Sequence, residues 1–275
     1  MPSGFDMEGI HEKLDALKTL LKGYGRVAVA FSGGVDSTFL LKVAHDVLGD
    51  DCIALTVNSD VFPKREHSEA VAFCRAEGIK QAMVEVDVLS VEGFADNPPN
   101  RCYLCKRALF GRIIKAAETE GASVVCEGSN LDDLGDYRPG LQAISELGIA
   151  SPLRVCGLSK AEIRKLSDEL GLPTFNKPSF ACLASRFPYG QKITSAGLHM
   201  VEQAEDFLRD AGFRQVRVRI HGDVARIEVE PDLLVAALEM RESIASTLKS
   251  IGFTYVALDL LGYRTGSLNE KLGVL

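Results

Sequence analysis

The run Val27-Ala28-Val29-Ala30 is apolar at every position and stops at Ser32-Gly33-Gly34, before a helical pattern resumes at Phe39-Leu40-Leu41. A short unbroken apolar run bounded by turn residues fits a strand buried on both faces, so a strand is expected over 26–31 and a helix over 36–48. Upstream, Ile10, Leu14, Leu17 and Leu21 recur at helical spacing and predict an amphipathic helix over 6–22. Downstream the pattern predicts strands over 51–57, 81–88 and 123–128. Between and after them it predicts helices over 64–78, 103–120 and 159–170. Such alternation implies right-handed crossovers and an α/β fold built on a doubly wound parallel sheet. The pattern changes after Pro173 and Pro178. A helix over 194–211, strands over 215–221 and 224–230, a helix over 231–250 and a strand over 254–260 describe a smaller C-terminal α+β domain. His221-Gly222-Asp223 supplies the hairpin turn. The boundary is expected between 178 and 192, giving domains 1–185 and 186–275.

The two-glycine break organises the chain chemically. A strand that ends at glycines and restarts as a helix aims backbone N–H groups at one spot, where the helix dipole is also positive, so an anion is expected there. No Lys follows the glycines as in a Walker loop, and the Gly-x-Gly-x-x-Gly of dinucleotide sites is missing. A plain turn capped by Ser32 or Asp36 would not require Ser, Gly, Gly, Asp and Ser together. Phe31-Ser32-Gly33-Gly34-Val35-Asp36-Ser37-Thr38 resembles the PP-loop of ATP pyrophosphatases. That resemblance implies phosphate binding by Ser32, Gly33, Gly34 and Ser37, with Mg²⁺ on Asp36. Ligands of doubly wound sheets sit beyond the C-terminal strand ends. Ala30 therefore borders the nucleotide, and Thr56 and Val57 lie beside the adenine with Asn58.

Composition narrows the picture. A net charge of −7 speaks against a broad nucleic-acid surface. No apolar stretch is long enough for a membrane span, and the first residues lack the features of a signal peptide. Seven cysteines, an odd number, fit reduced thiols or metal ligands better than disulfides, and a cytoplasmic protein is expected.

Three further constellations carry chemistry. Arg101-Cys102-Tyr103-Leu104-Cys105 places a Cys-x-x-Cys at a helix start. It reads as a redox dithiol, half of a zinc site, part of an iron–sulfur cluster, or two unrelated thiols. Cys182, in Lys177-Pro178-Ser179-Phe180-Ala181-Cys182-Leu183-Ala184-Ser185-Arg186, is either an exposed thiol favoured by Arg186 or a small buried apolar residue. Cys52 and Cys126 lie in apolar runs and read as packing. Glu127-Gly128-Ser129-Asn130-Leu131-Asp132-Asp133 follows a strand and opens on the edge of the glycine loop. Gly128, Ser129 and Asn130 suit nucleotide contact there, and a polar turn is the plainer reading. In Val216-Arg217-Val218-Arg219-Ile220 both arginines share one strand face. They form either a solvated face with cross-strand ion pairs or a clamp for a substrate phosphate.

Taken together, the loop, Gly135-Asp136-Tyr137-Arg138-Pro139-Gly140, the Cys182 segment through Tyr189-Gly190, and His221 to Glu228 resemble the LarE-type sulfur transferases over nearly the whole chain. The resemblance implies an enzyme that uses ATP to adenylate a carboxylate of a pyridinium dicarboxylate mononucleotide, then installs sulfur to give a thiocarboxylate for a nickel-pincer cofactor. It implies substrate contacts at Arg138, Arg186, Arg217 and Arg219, and Cys182 as the sulfur-bearing residue. The pair Cys102 and Cys105 resembles members that hold a 4Fe-4S cluster through three cysteines, here with Cys182, and take sulfide from a donor. Members with a lone cysteine give up its own sulfur instead. A homo-oligomer is expected. The competing readings are a PP-loop tRNA thiolase, an ammonia-using amide synthetase and a nucleotide-binding module without turnover.

Overall fold

Strands and helices alternate from the first residues described, because each apolar run is too short to bury itself and needs a helix to cover it. The structure is a computed structural model that describes residues 7–135, 139–178, 181–264 and 266–267. Helix α1 (Met7–Tyr24) leads into β1 (Val27–Ala30), α2 (Val35–Leu48), β2 (Cys52–Asn58), α3 (Lys64–Glu77) and β3 (Lys80–Glu85). Then come α4 (Arg101–Thr119), β4 (Val124–Cys126), α5 (Pro139–Glu146), α6 (Pro152–Val155) and α7 (Lys160–Glu169). The chain ends with α8 (Ser195–Asp210), β5 (Arg217–His221), β6 (Val224–Glu228), α9 (Leu234–Glu239), α10 (Arg241–Ile251) and β7 (Tyr255–Leu258).

The chain divides into two compact units. The first comprises Met1–Ser59, Lys64–Val86 and Cys102–Ser179; the second comprises Asp60–Pro63, Asp87–Arg101 and Phe180–Leu275.

The first unit is an α/β layer structure. Its sheet runs β3-β2-β1-β4, all parallel, with Val27 opposite both Cys52 and Val124. Val27, Val29, Cys52, Ala54 and Cys126 join α1, α2 and α7 in one apolar cluster with Leu17, Leu21, Phe39 and Leu166. The alternate residues Ala28, Ile53 and Leu55 are also fully buried, so both faces of the central strands are covered. That is why β1 and β2 read as continuous apolar runs rather than alternating ones. Burial pushes the thiols of Cys52, Cys74 and Cys126 up to about 12, so they stay neutral and pack as small apolar groups.

The second unit carries a three-stranded sheet in the order β5-β6-β7. β5 and β6 are antiparallel through the turn after His221, whereas β6 and β7 are parallel. The expected helix over 231–250 is broken. Residues Pro231–Leu233 form a short 3-10 turn, and Met240, at φ −89 and ψ 9, separates α9 from α10. The expected strand over 81–88 ends at Glu85, because the Asp87 side chain accepts the amides of Leu89 and Ser90 and starts a tight turn. Among the described residues no helix is long and apolar enough to cross a membrane.

Candidate active site

In the first unit the site is built at the C-terminal edge of the parallel sheet. The Phe31 amide donates to Leu55 O at 2.9 Å and extends the ladder one residue past β1. The chain then turns through Gly33, whose φ of +71 lies in the left-handed region that suits glycine. A Cβ on Gly33 would also stand 3.3 Å from Ala70 Cβ and from Glu66 O, so the loop rests directly on α3. Gly34 caps α2 without a side-chain acceptor for the first amides. Thr38 donates to Gly34 O. The amides of Gly33, Gly34, Val35 and Asp36 have no acceptor among the described residues. The hydroxyls of Ser32 and Ser37 lie 3.1 Å apart at the same turn, and Ser37 Oγ donates to Gly34 O at 3.2 Å. Open N–H groups at the start of a long helix, flanked by two hydroxyls, form an anion cradle.

The loop after β4 closes against this cradle. Gly128 permits the approach: a Cβ there would stand 3.0 Å from the Ser37 amide nitrogen and 3.3 Å from Asp36 Cβ. Glu127 is buried and shapes the turn, accepting the Ser129 amide at 3.0 Å, Ser129 Oγ at 2.8 Å and Ser151 Oγ at 2.5 Å. Asn130 Nδ2 donates to Asp36 Oδ1 at 3.2 Å, and Lys160 Nζ donates to Asp36 Oδ2 at 2.5 Å. The Lys160 amide donates to Asp132 Oδ2 at 2.7 Å, while the Asp132 amide donates to Asn130 Oδ1 at 2.9 Å. Asp36, Asn130, Asp132 and Lys160 therefore form one network from three separate segments. On the other side of the loop Lys177 Nζ donates to Gly33 O at 2.9 Å and pairs with Glu69 at 2.8 Å.

Ala30 ends β1 opposite Leu55, and Val57 pairs with Val84. Thr56 is buried, and its hydroxyl accepts from Gln81 Nε2 at 2.7 Å. Asn58 Nδ2 reaches both carboxylate oxygens of Glu85 at 3.0 Å. Cys102 and Cys105 lie in the first turn of α4, the former exposed and the latter 9% exposed. Arg138 lies outside the described residues.

In the second unit Cys182 caps a short 3-10 turn, Leu183–Arg186, and is half-buried. Arg186 is completely buried and forks onto Glu205, Nε to Oε1 at 2.7 Å and one terminal nitrogen to Oε2 at 2.8 Å. Its other terminal nitrogen donates to Ala181 O at 2.7 Å, Cys182 O at 3.2 Å and Ser185 Oγ at 2.8 Å. This arginine therefore builds the turn that presents Cys182. Burial pushes the Glu205 carboxyl up, but Arg186, Arg209 and Arg217 outweigh it and hold it at about 2.

Arg217 and Arg219 are 3% and 6% exposed, so they do not form a solvated strand face. Arg219 forks onto the buried Glu228 at 3.1 and 2.9 Å and donates to Ser185 O at 2.7 Å, a second hold on the same turn. Arg217 lies over the Tyr263 ring at 5.2 Å and donates to Val216 O at 2.8 Å. Burial first, and then Arg186, lower its pKa. Buried Asn97, at φ 55, donates to Phe187 O at 3.1 Å and Pro188 O at 2.8 Å. It also accepts from Arg101, which stacks 4.8 Å over Tyr189. Among the described residues no group of three or more His, Cys, Asp or Glu side chains is gathered to hold a metal. The expected meeting of Cys102, Cys105 and Cys182 is thus not shown.

Pattern reading missed Lys160, Lys177 and Glu205. One signal for Lys160 was available. It is the first residue of α7, where a cation opposes the helix dipole unless an anion answers it.

A parallel sheet with an open-amide glycine loop at its C-terminal edge defines the class: a PP-loop ATP pyrophosphatase fold. In keeping with it, the first part of the chain is similar to a glutamine-hydrolyzing GMP synthase of Methanococcus vannielii, 28% identical over 60% of this chain and 56% of the relative. No family model matches the chain. The similarity to pyridinium-3,5-bisthiocarboxylic acid mononucleotide synthase of Lactiplantibacillus plantarum is 39% identity, over 97% of both chains. An uncharacterized protein of Synechocystis is 42% identical over 96% of this chain and 99% of its own. The chain belongs to the family of that mononucleotide synthase, the LarE-type enzymes.

Proposed function

We propose that this enzyme uses ATP to activate a carboxylate of a pyridinium dicarboxylate mononucleotide and replaces one carboxylate oxygen by sulfur, on the route to a nickel-pincer cofactor. The observation that carries the reading is the set of open amides from Gly33 to Asp36, ending at the Asp36–Lys160 pair. The family relationship supplies the substrate class.

A carboxylate resists attack because its leaving group would be oxide. Its oxygen therefore attacks the α-phosphorus of ATP, the bond to the bridging β-phosphate oxygen breaks, and pyrophosphate leaves. The open amides and the Ser32 and Ser37 hydroxyls hold the phosphates where charge accumulates, which is the place such donors act. Asp36 would hold Mg²⁺ together with phosphate oxygens, an arrangement that magnesium sites built on one carboxylate commonly use. That ion supplies charge neutralisation for the departing pyrophosphate. Lys160, released from Asp36, turns its ammonium to the same phosphates.

The acyl-adenylate is then attacked by sulfur, and AMP leaves with its electron pair. Cys182 is the residue assigned to carry that sulfur as a thiolate. Loss of its Cα proton and cleavage of its Cβ–Sγ bond release the thiocarboxylate and leave dehydroalanine. A 4Fe-4S cluster on Cys102, Cys105 and Cys182 is the rival sulfur source. Its donors are not gathered among the described residues, so the proposal rests on Cys182 itself. Arg217 and Arg219 are proposed to serve the substrate's phosphate.

Two variants test the assignment. Asp36→Ala should abolish AMP and pyrophosphate formation while the far-ultraviolet circular dichroism stays that of the wild type. Cys182→Ser should still form AMP from ATP and the carboxylate substrate but yield no thiocarboxylate. AMP formation at the wild-type rate in Asp36→Ala, or thiocarboxylate from Cys182→Ser, refutes the respective role.

A further inference from the structure

The glycine loop contains a peptide that nothing in its own sequence holds in place. The Gly33–Gly34 unit is flanked by the ψ of one glycine and the φ of another, so it can rotate at little steric cost. Phosphate binding requires one orientation only, with the Gly34 amide facing the cradle. In a trans peptide the carbonyl and the N–H point in opposite directions, and there are no cis peptides among the described residues. Whatever holds the Gly33 carbonyl therefore sets the Gly34 amide.

That holder is Lys177. Its ammonium donates to Gly33 O at 2.9 Å and is paired with Glu69 on α3 at 2.8 Å. The lysine side chain is 12% exposed, so the contact is shielded from water. Its own approach is fixed nearby, because Arg164 donates to Phe175 O at 2.7 Å and Lys177 O at 2.8 Å. The Gly34 amide, turned away from Lys177, has no acceptor among the described residues.

We propose that Lys177 is a positioning residue: a strut that pins the Gly33 carbonyl and so pre-sets the Gly34 amide for a nucleotide phosphate. The inference rests on the nucleotide-binding reading above. It also means that the segment leading to Cys182 begins at an anchor on the phosphate loop. Without the strut the loop samples both peptide orientations, and only the fraction in the competent one binds, which lowers apparent affinity by that fraction.

The test compares Lys177→Met and Lys177→Arg with the wild type, using a non-hydrolysable ATP analogue in calorimetry, steady-state AMP formation and thermal unfolding. Lys177→Met should raise the analogue Kd and the ATP KM together by about tenfold, with kcat at saturating ATP and the unfolding temperature little changed. Lys177→Arg, which keeps a donor, should recover most of that loss. The ¹⁵N-edited resonance of the Gly34 amide in ligand-free protein should shift in Lys177→Met and stay near its wild-type position in Lys177→Arg. That readout needs no nucleotide, so it separates failure of the strut from failure of the nucleotide-binding reading. An unchanged Kd and an unmoved Gly34 resonance in Lys177→Met overturn the proposal. A fall in kcat at unchanged Kd overturns it too, since Lys177 would then act on the reacting atoms.

Discussion

Arg186 illustrates how a charged side chain can serve a reaction by serving the backbone. It is wholly buried, answers Glu205 with two parallel hydrogen bonds, and gives its remaining donors to the turn that carries Cys182. A buried pair of this kind is weak evidence for net stability, but removing one partner leaves an uncompensated charge. Glu205→Gln should therefore destabilise the second unit by about 3–5 kcal/mol in denaturant unfolding. The same carboxyl gives a pH prediction. Its folded value, held near 2, lies below its ordinary value of 4.5, so its contribution is complete above 4.5 and fades as pH falls toward 2. The loss amounts to about 3 kcal/mol across that window and should be absent in Glu205→Gln. An acid limb of stability unchanged by Glu205→Gln would contradict the assignment. At this scale the glycine loop was legible in the sequence because backbone demands are written directly into residue identity, as with Gly33 at positive φ. Glu205 was not legible, because a carboxylate that answers three arginines looks like any other acidic residue of an amphipathic helix.

The meeting of α2 with the turn after β4 sets the geometry of the cradle. Gly128 allows it, since any side chain would press on the Ser37 amide and Asp36. Gly128→Ala should shift the first turn of α2, cost about 1–3 kcal/mol of stability and weaken ATP binding. A variant that binds ATP as the wild type does would show that the contact has slack. The central strands could be read from apolar runs alone because both of their faces are buried. Helix endings were harder. Nothing such as Gly or Pro marks the break at Met240 between α9 and α10, and the short helices α5 and α6 are too brief to show a period. Strand β3 was drawn too long because apolar Val86 and Val88 continue the alternation past Glu85, where Asp87 diverts the backbone.

For the whole molecule, the linear reading drew one boundary, whereas the second unit also takes in Asp60–Pro63 and Asp87–Arg101. Those segments have no period and no apolar face of their own, and they are tied in by contacts that only folding creates. Leu183 donates to Val61 O at 2.8 Å, and Asn97 joins the 187–188 backbone. The account's central claim is that ATP is split at its α-phosphorus by a carboxylate. The most direct measurement is exchange of labelled pyrophosphate into ATP, with and without the pyridinium dicarboxylate mononucleotide. The account predicts label in ATP only when the carboxylate substrate is present, and none with Asp36→Ala. Label entering ATP without the substrate, or ADP and phosphate as the products, would contradict it.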